Sequence, residues 1–424
     1  MPETPHVPPA ETPPSDPSLY KGPLQIPAFR SFLLARFISV LSYSAQSAAI
    51  AWHIYETARE TVGIGQSAFY VGLMGLCQFI AMFVTTLPAG VVVDKYDRKK
   101  VMGFTIGAQA VIALGFFALA VTPGSPFWAL FVLSAFLGVT RSFIAPAGSS
   151  IGPMIVPRDM LPKAIAINSL SFQVGGVLGP ALGGLLVGAS AGFAYGVSAG
   201  LFVMAGIIIL NIKANTQPEY AGGSKMEMVR EGLSYIWTNK VVLGALSLDL
   251  FAVLLGGATA LLPIFAKDVL HVGPEGYGIL RSSAAVGAMV TAAWLARRPI
   301  RRHAGKWMYG GVAIFGVCTI IFGISQSFWV SVAALVVLGA ADMVSVYVRG
   351  TLVQIVTPDY MRGRVASVSY LFIGASNELG EFESGVVARF LGPVGAALFG
   401  GIGSLIVTGA WVKLFPALYK SDQL

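Results

Sequence analysis

The sequence predicts an all-α polytopic membrane protein with about twelve transmembrane helices in two six-helix halves. Three observations carry that prediction. Hydrophobic residues make up 55% of the 424 and charged residues only 11%, against about 25% charged in an ordinary soluble domain; a surface this apolar needs lipid as its solvent. The apolar residues fall in runs of the roughly 20 residues that a helix needs to cross a bilayer. The basic residues sit in short stretches between those runs, so the net charge of +8 marks membrane topology and no nucleic-acid face is expected.

Residues 1–28 are rich in proline and carry acidic residues. They lack the basic start and apolar core of a signal peptide and read as a disordered cytoplasmic tail. The first span then serves as the uncleaved insertion signal. Runs begin near Phe32, Ala68, Met102, Trp128, Ala164 and Phe193, forming an N-terminal bundle over 29–212. A linker over 213–241 follows, in which Glu227 to Trp237 spaces apolar residues at helical intervals; this predicts an amphipathic helix at the cytoplasmic interface. Runs resume near Val242, Tyr277, Met308, Trp329, Val365 and Val394, forming a C-terminal bundle over 242–416, with a short tail at 417–424.

Orientation follows from lysine and arginine placement. Lys95, Arg98, Lys99 and Lys100 follow the second span, and Arg158 and Lys163 the fourth. Arg297, Arg298, Arg301, Arg302 and Lys306 follow the eighth, and Arg362 and Arg364 the tenth. The opposite loops, such as Thr122 to Pro126 and Ser325 to Ser327, carry almost none, which places both termini in the cytoplasm. The halves echo one another: Val156-Pro157-Arg158-Asp159-Met160 recurs loosely as Thr357-Pro358-Asp359-Tyr360-Met361, each after a span with an arginine near its end, Arg141 or Arg349. A repeat at half the chain length is how transporters that rock about a central site are built.

Several motifs carry chemistry. The loop after the second span reads Gly90-Val91-Val92-Val93-Asp94-Lys95-Tyr96-Asp97-Arg98-Lys99-Lys100. The fifth span holds Gly175-Gly176-Val177-Leu178-Gly179-Pro180-Ala181-Leu182-Gly183-Gly184, where the glycines let helices approach closely and Pro180 removes a backbone hydrogen bond. Charges inside spans are costly and face a cavity or one another: Arg36 in the first, Arg141 in the fourth, Asp249 in the seventh, Asp342 in the tenth. The eleventh carries Ser376-Asn377-Glu378-Leu379-Gly380-Glu381-Phe382-Glu383-Ser384-Gly385. Glu378 and Glu381, three apart, share a helix face, whereas Glu383 points elsewhere. Two adjoining carboxylates in a low dielectric do not both ionise cheaply, so this face can take up and release a proton or bind the cationic part of a substrate. Cys77 and Cys318 lie far apart in apolar stretches, so neither a disulfide framework nor a metal site is expected. No phosphate loop, zinc motif or nucleophile elbow is present, so no enzyme is expected and the energy source is an ion gradient.

The Gly90 to Lys100 loop resembles the signature G-x-x-x-D-(R/K)-x-G-R-(R/K)-(R/K) of the major facilitator superfamily, departing at Asp97, where the family has glycine. The resemblance implies the major facilitator fold, with Asp94 and Arg98 as gating residues and Gly90 in the same loop; in the family the acidic residue pairs across to the other half in the outward-facing state. The counterpart near Arg297 to Arg302 keeps the positive charge and lacks the acid. Gly175, Gly179, Pro180 and Gly183 match G-x-x-x-G-P-x-x-G-G, which marks proton-coupled exporters of the superfamily, and Arg141 falls where such exporters carry an arginine implicated in proton coupling. Residues 29–416 resemble the branch of enterobactin-type siderophore exporters and macrolide-efflux proteins. That implies a monomeric antiporter of the bacterial inner membrane, with the lipid bilayer and a small-molecule substrate as its partners. It would need no cofactor beyond the proton gradient, and would expel a siderophore or drug-like amphipathic compound. Arg36, Arg141, Asp249, Asp342, Glu378, Glu381 and Glu383 are its proton-coupling or substrate candidates, and Tyr43, Phe143, Phe172 and Tyr370 suit a ring-bearing cargo. A metal-ion exporter, as some relatives extrude nickel, and a non-transporting receptor or assembly subunit are the alternatives; the four histidines serve soft metals poorly.

Overall fold

The computed structural model describes residues 22–217, 225–300 and 302–420. Among them, eleven apolar helices are long enough to cross a membrane, and the longest, Asp359–Leu414, is two spans joined at Gly392. The first six are α1 Pro27–Arg59, α2 Ile64–Lys95, α3 Arg98–Val121, α4 Trp128–Ile155, α5 Leu161–Ala189 and α6 Ala191–Leu210. The second six are α7 Lys240–Leu255, α8 Gly273–Arg297, α9 Ala304–Ile324, α10 Phe328–Val356, α11 over 359–391 and α12 over 393–414. Three features lie outside what hydropathy reads. The seventh span breaks at Gly256–Gly257 and finishes through short turns to Val269. The eleventh and twelfth have almost no loop between them: Gly392, at φ 74°, turns the chain, a left-handed conformation natural to glycine, and Pro393 starts the next helix. Residues 417–420, placed in a tail by composition, belong to a docked turn in which Leu418 is buried and Tyr419 meets Tyr309 edge-on at 5.6 Å.

The linker forms a helix, Lys225–Thr238. Its Ile236 is buried with Val242, Leu246, Val353, Met361, Val365 and Val368, Glu231 pairs with Arg364, and the Tyr235 hydroxyl donates to the Val356 carbonyl at 2.9 Å. The amphipathic face predicted from its spacing is spent on α7, α10 and α11.

The apolar core is divided unequally. At the end of the spans away from the basic loops, one cluster draws on all twelve spans, from Ala48–Tyr55 of α1 through Phe265 and Tyr277 to Ala396 and Ala397 of α12. At the basic end there are separate clusters: Phe29, Phe32, Met102, Ile151 and Phe202 belong to the first six spans, while Leu248, Leu295, Met308 and Leu352 belong to the last six. The halves therefore share a floor at the distal end and keep separate walls at the basic end. Between the halves, extended packing runs along α2 with α11 and α5 with α8; among the described residues none joins α4 or α5 to α10 or α11. The two halves are packed separately at the basic end.

Small residues make those two seams possible. A Cβ on Gly72 would lie 3.1 Å from Cα of Phe382 and of Gly385. One on Gly184 would lie 2.7 Å from Cα of Gly278, and one on Gly278 3.0 Å from the Pro180 carbonyl. The exporter-type motif thus has two faces. Gly175, Gly179 and Gly183 bring α5 against Val40, Ser44 and Ala45 of α1, and Gly184 brings it against α8 across the halves.

The loop between α2 and α3 tolerates Asp97 because no left-handed turn is needed there: Asp97 has φ −54°. Its carboxylate caps α3, accepting from the Lys99 amide at 3.2 Å and from the Thr216 hydroxyl. Removing an N-cap of this type costs about 1 kcal/mol. Asp97→Ala should therefore lower the thermal midpoint by a few degrees in detergent without changing transport rate per folded molecule, and a wild-type midpoint would refute the capping role.

Candidate functional site

The floor rises to a layer of polar residues at mid-span, where no ordinary core would place them. Arg141 of α4 forms an ion pair with Glu378 of α11 across the two halves. Its guanidinium also stands 5.6 Å from the centre of the Tyr43 ring, and the Tyr43 hydroxyl donates to Gln78 Oε1 at 3.3 Å. One turn closer to the floor, Arg281 of α8 donates to the Tyr277 hydroxyl at 2.7 Å and to Ser47 Oγ of α1 at 3.1 Å. Glu381 lies between these groups, in electrostatic range of Glu378, Arg281 and Arg141. Its side chain rests on Gly75 of α2, where an added Cβ would lie 3.1 Å from Oε2. Arg141 of the first half thus faces two carboxylates and Arg281 of the second across the joint between the halves. Moving a proton onto either acid changes the attraction that spans that joint.

Beneath this layer the distal end is latched. Asp268, at the end of the seventh span, accepts from the Tyr55 hydroxyl and from Arg59 Nη2 at 3.2 Å. Lys267 Nζ reaches Glu56 Oε1 at 3.2 Å, and Trp52 packs on Tyr277 at 5.6 Å. All of these contacts tie α1 to the seventh and eighth spans. Charge-assisted hydrogen bonds contribute about 1.5–3 kcal/mol each, so Asp268→Ala should raise distal-side labelling of a Ser47→Cys probe by roughly tenfold, in a chain whose Cys77 and Cys318 have been replaced. Unchanged labelling would show that Asp268 does not hold this end shut.

The structure disperses the remaining residues singled out in the sequence. Arg36 lies against Gly148 of α4 and 5.8 Å from the Phe172 ring. Asp249 pairs with Arg349 in the second half, and Asp342 lies beside that pair. Glu383 turns off the Glu378–Glu381 face, with one carboxylate oxygen buried and unpartnered and the other accepting from Ser384 at 3.4 Å. Phe143 is half-buried on α4; the Tyr370 side chain and Arg301 lie outside the described residues. After Gly90 and Asp94 the loop is tied to the end of the first half: Arg98 N donates to the Thr216 carbonyl at 3.2 Å, Arg98 Nη1 to Met154 Sδ at 3.0 Å, and Lys99 Nζ to the carbonyls of Ile212 and Ala214. Sequence reasoning missed Arg281, Tyr277, Arg59 and Asp268. A charge inside an apolar run, the same signal that marked Arg36, was present for Arg281.

Relatives match across nearly the whole chain. The transmembrane secretion effector family matches residues 20–423. The enterobactin exporter EntS of Citrobacter koseri is 26% identical over 383 residues, covering 90% of each protein, and EntS of Escherichia coli O1:K1 / APEC matches to the same extent. Among solved structures, a bacterial homolog to the human lysosomal transporter Spinster, in an inward-facing and unoccupied conformation, superposes with a TM-score of 0.72 at 15% identity, covering 93% of this chain and 96% of that one. A POT family transporter in complex with 5-aminolevulinic acid gives 0.70 at 12% identity, covering 92% and 96%. At those identities the structures establish the fold, and the family match places the function: this chain is a multi-pass membrane transporter that belongs to the transmembrane secretion effector family of the major facilitator superfamily.

Proposed function

We propose that the protein exports a small amphipathic molecule across the bacterial inner membrane by alternating access, driven by proton entry. The observation that carries this reading is the Arg141–Glu378 ion pair spanning the halves at mid-membrane, with Glu381 packed against Gly75 directly beside it. Positive loops stay in the cytoplasm, so the basic end faces the cytoplasm and receives cargo, and both termini lie on that side. The cargo meets Tyr43, Arg141 and Arg281, a ring face and two cations, which favour an aromatic or anionic group. A siderophore with such groups fits, in keeping with the enterobactin exporters among its relatives. A proton arriving from the distal side neutralises Glu378 or Glu381 and frees Arg141, and the halves can then rock about the α2–α11 and α5–α8 seams. Asp94 and Arg98, at the basic end of α2 and the start of α3, are the gating residues of this cycle. No cofactor is required, and one chain suffices.

Everted vesicles test this reading. Glu378→Gln and Glu381→Gln should each abolish export driven by an imposed pH gradient while leaving insertion intact. Full pH-gradient-dependent transport in both variants would remove these acids from coupling. Metabolites released by deletion and wild-type cells under iron limitation would identify the cargo; a siderophore retained inside deletion cells is the expected result.

A further inference from the structure

Asp342, Ser345 and Arg349 lie on one face of α10, at intervals of three and four residues, and that face meets α7 and α9 behind the central layer. Arg349 is paired with Asp249 of α7, and both are buried. Asp342 makes no ion pair or hydrogen bond among the described residues, yet it sits beside that pair. With both acids ionised, two carboxylates against one guanidinium would leave one negative charge unbalanced inside the second half, a costly arrangement in hydrocarbon surroundings. A small void lies at this place, lined by Asp249, Asp342 and Ser345 on its polar side and by Val312 and Phe315 of α9 on the other. Ser345 is 2% exposed, and its hydroxyl has no hydrogen-bond partner, although a helical serine can donate to the carbonyl four residues back. Buried hydroxyls without partners are rare and call for an explanation.

We propose that Asp342, Asp249 and Ser345 form a site for one monovalent cation, Na⁺ or a proton, inside the second half and separate from the central Arg141–Glu378 layer. One positive charge balances the cluster, and oxygen donors suit a hard cation. The orphaned hydroxyl supplies a ligand where helix geometry alone left it idle. The charged groups facing Asp342 are Asp249 from α7 and Arg349 from its own helix. The lining from α9 is apolar, and α8 meets α10 through the close approach of Gly287 to Val336 and of Gly339 to Ala284. The site lies just before the break at Gly256–Gly257, so cation loading acts on the helix that ends in the Asp268 latch.

This goes beyond the export reading and is tested without cargo. The thermal midpoint of the purified full-length chain would be followed in detergent, first with Na⁺ replacing choline at fixed pH and ionic strength, then with pH varied in choline alone. The expected result is a midpoint that rises by several degrees with the logarithm of Na⁺ concentration, or with acidification when Na⁺ is absent; the first identifies Na⁺ and the second a proton. In Asp342→Asn, where no charge awaits a partner, the Na⁺ dependence should vanish and the pH dependence should shrink to what the central Glu378–Glu381 layer contributes. Ser345→Ala should fold normally and raise the half-saturating Na⁺ concentration about tenfold, which keeps the test decisive if Asp342→Asn expresses poorly. A wild-type midpoint indifferent to both Na⁺ and pH, or an Asp342→Asn variant that keeps the wild-type response, would overturn the proposal. Either result leaves the vesicle export assay untouched, so the two readings fail separately.

Discussion

Arg141→Gln is expected to reduce pH-gradient-driven export in everted vesicles by a hundredfold or more. Removing one partner of a buried ion pair leaves the other charge uncompensated, at a cost of roughly 3–5 kcal/mol. Arg141 is 33% exposed and Glu378 only 10%, so solvent screens part of that cost and the lower end of the range applies. About 3 kcal/mol is still roughly a hundredfold in rate or population. The paired variant Arg141→Gln with Glu378→Gln separates structure from coupling. It should recover the folded yield lost by the single change, because neither charge is then stranded, yet it should not recover transport. If the double variant pumps as well as wild type, the pair only holds the halves together.

Gly183→Val should be the most damaging substitution in the exporter-type motif. A Cβ at Gly183 would lie 2.9 Å from both the carbonyl carbon and Cα of Ala45 and would strike the Ala45 carbonyl oxygen. Backbone cannot swing aside as a side chain can, so α1 and α5 would have to separate. Overpacking of this kind costs about 3 kcal/mol or more, and the folded, monodisperse fraction on size exclusion should fall accordingly. Gly176→Val is the matched control: it adds the same side chain to the same helix, where nothing lies within 4 Å, and it should be tolerated. Equal yields from the two variants would show that the glycine spacing is not what sets the α1–α5 approach.

Much of this could be read before any coordinates. Span number and span type followed from the apolar runs, because a bilayer imposes length and composition on whatever crosses it, and the family followed from the Gly90 to Lys100 loop and the Gly175 to Gly184 motif. Glu378 and Arg141 stood out for the same reason, as charges where charge is expensive. What the sequence left illegible is pairing over distance. Asp268 and Arg59 sit at span ends, where charges are ordinary, and only the folded arrangement shows them bonded to one another 209 residues apart. Asp249 and Arg349 were each visible as intramembrane or near-membrane charges, but nothing local says that they neutralise each other rather than serve the central layer. The break at Gly256–Gly257 was hidden because it does not interrupt hydropathy. Asp97 looked like a defect against the family pattern; its role as the cap of α3 depends on Thr216, which lies beyond the last span of the first half.

The shared floor and separate walls make the molecule a lever. Its spans are long, α2 having 32 residues, which at about 1.5 Å per residue is roughly 48 Å. A tilt of about 10° about contacts at the distal end therefore displaces the opposite end by roughly 8 Å, while the side chains at the pivot shift by fractions of that. A small change of contacts near the pivot is thus geared to a displacement many times larger at the basic end, where each half keeps its own packing.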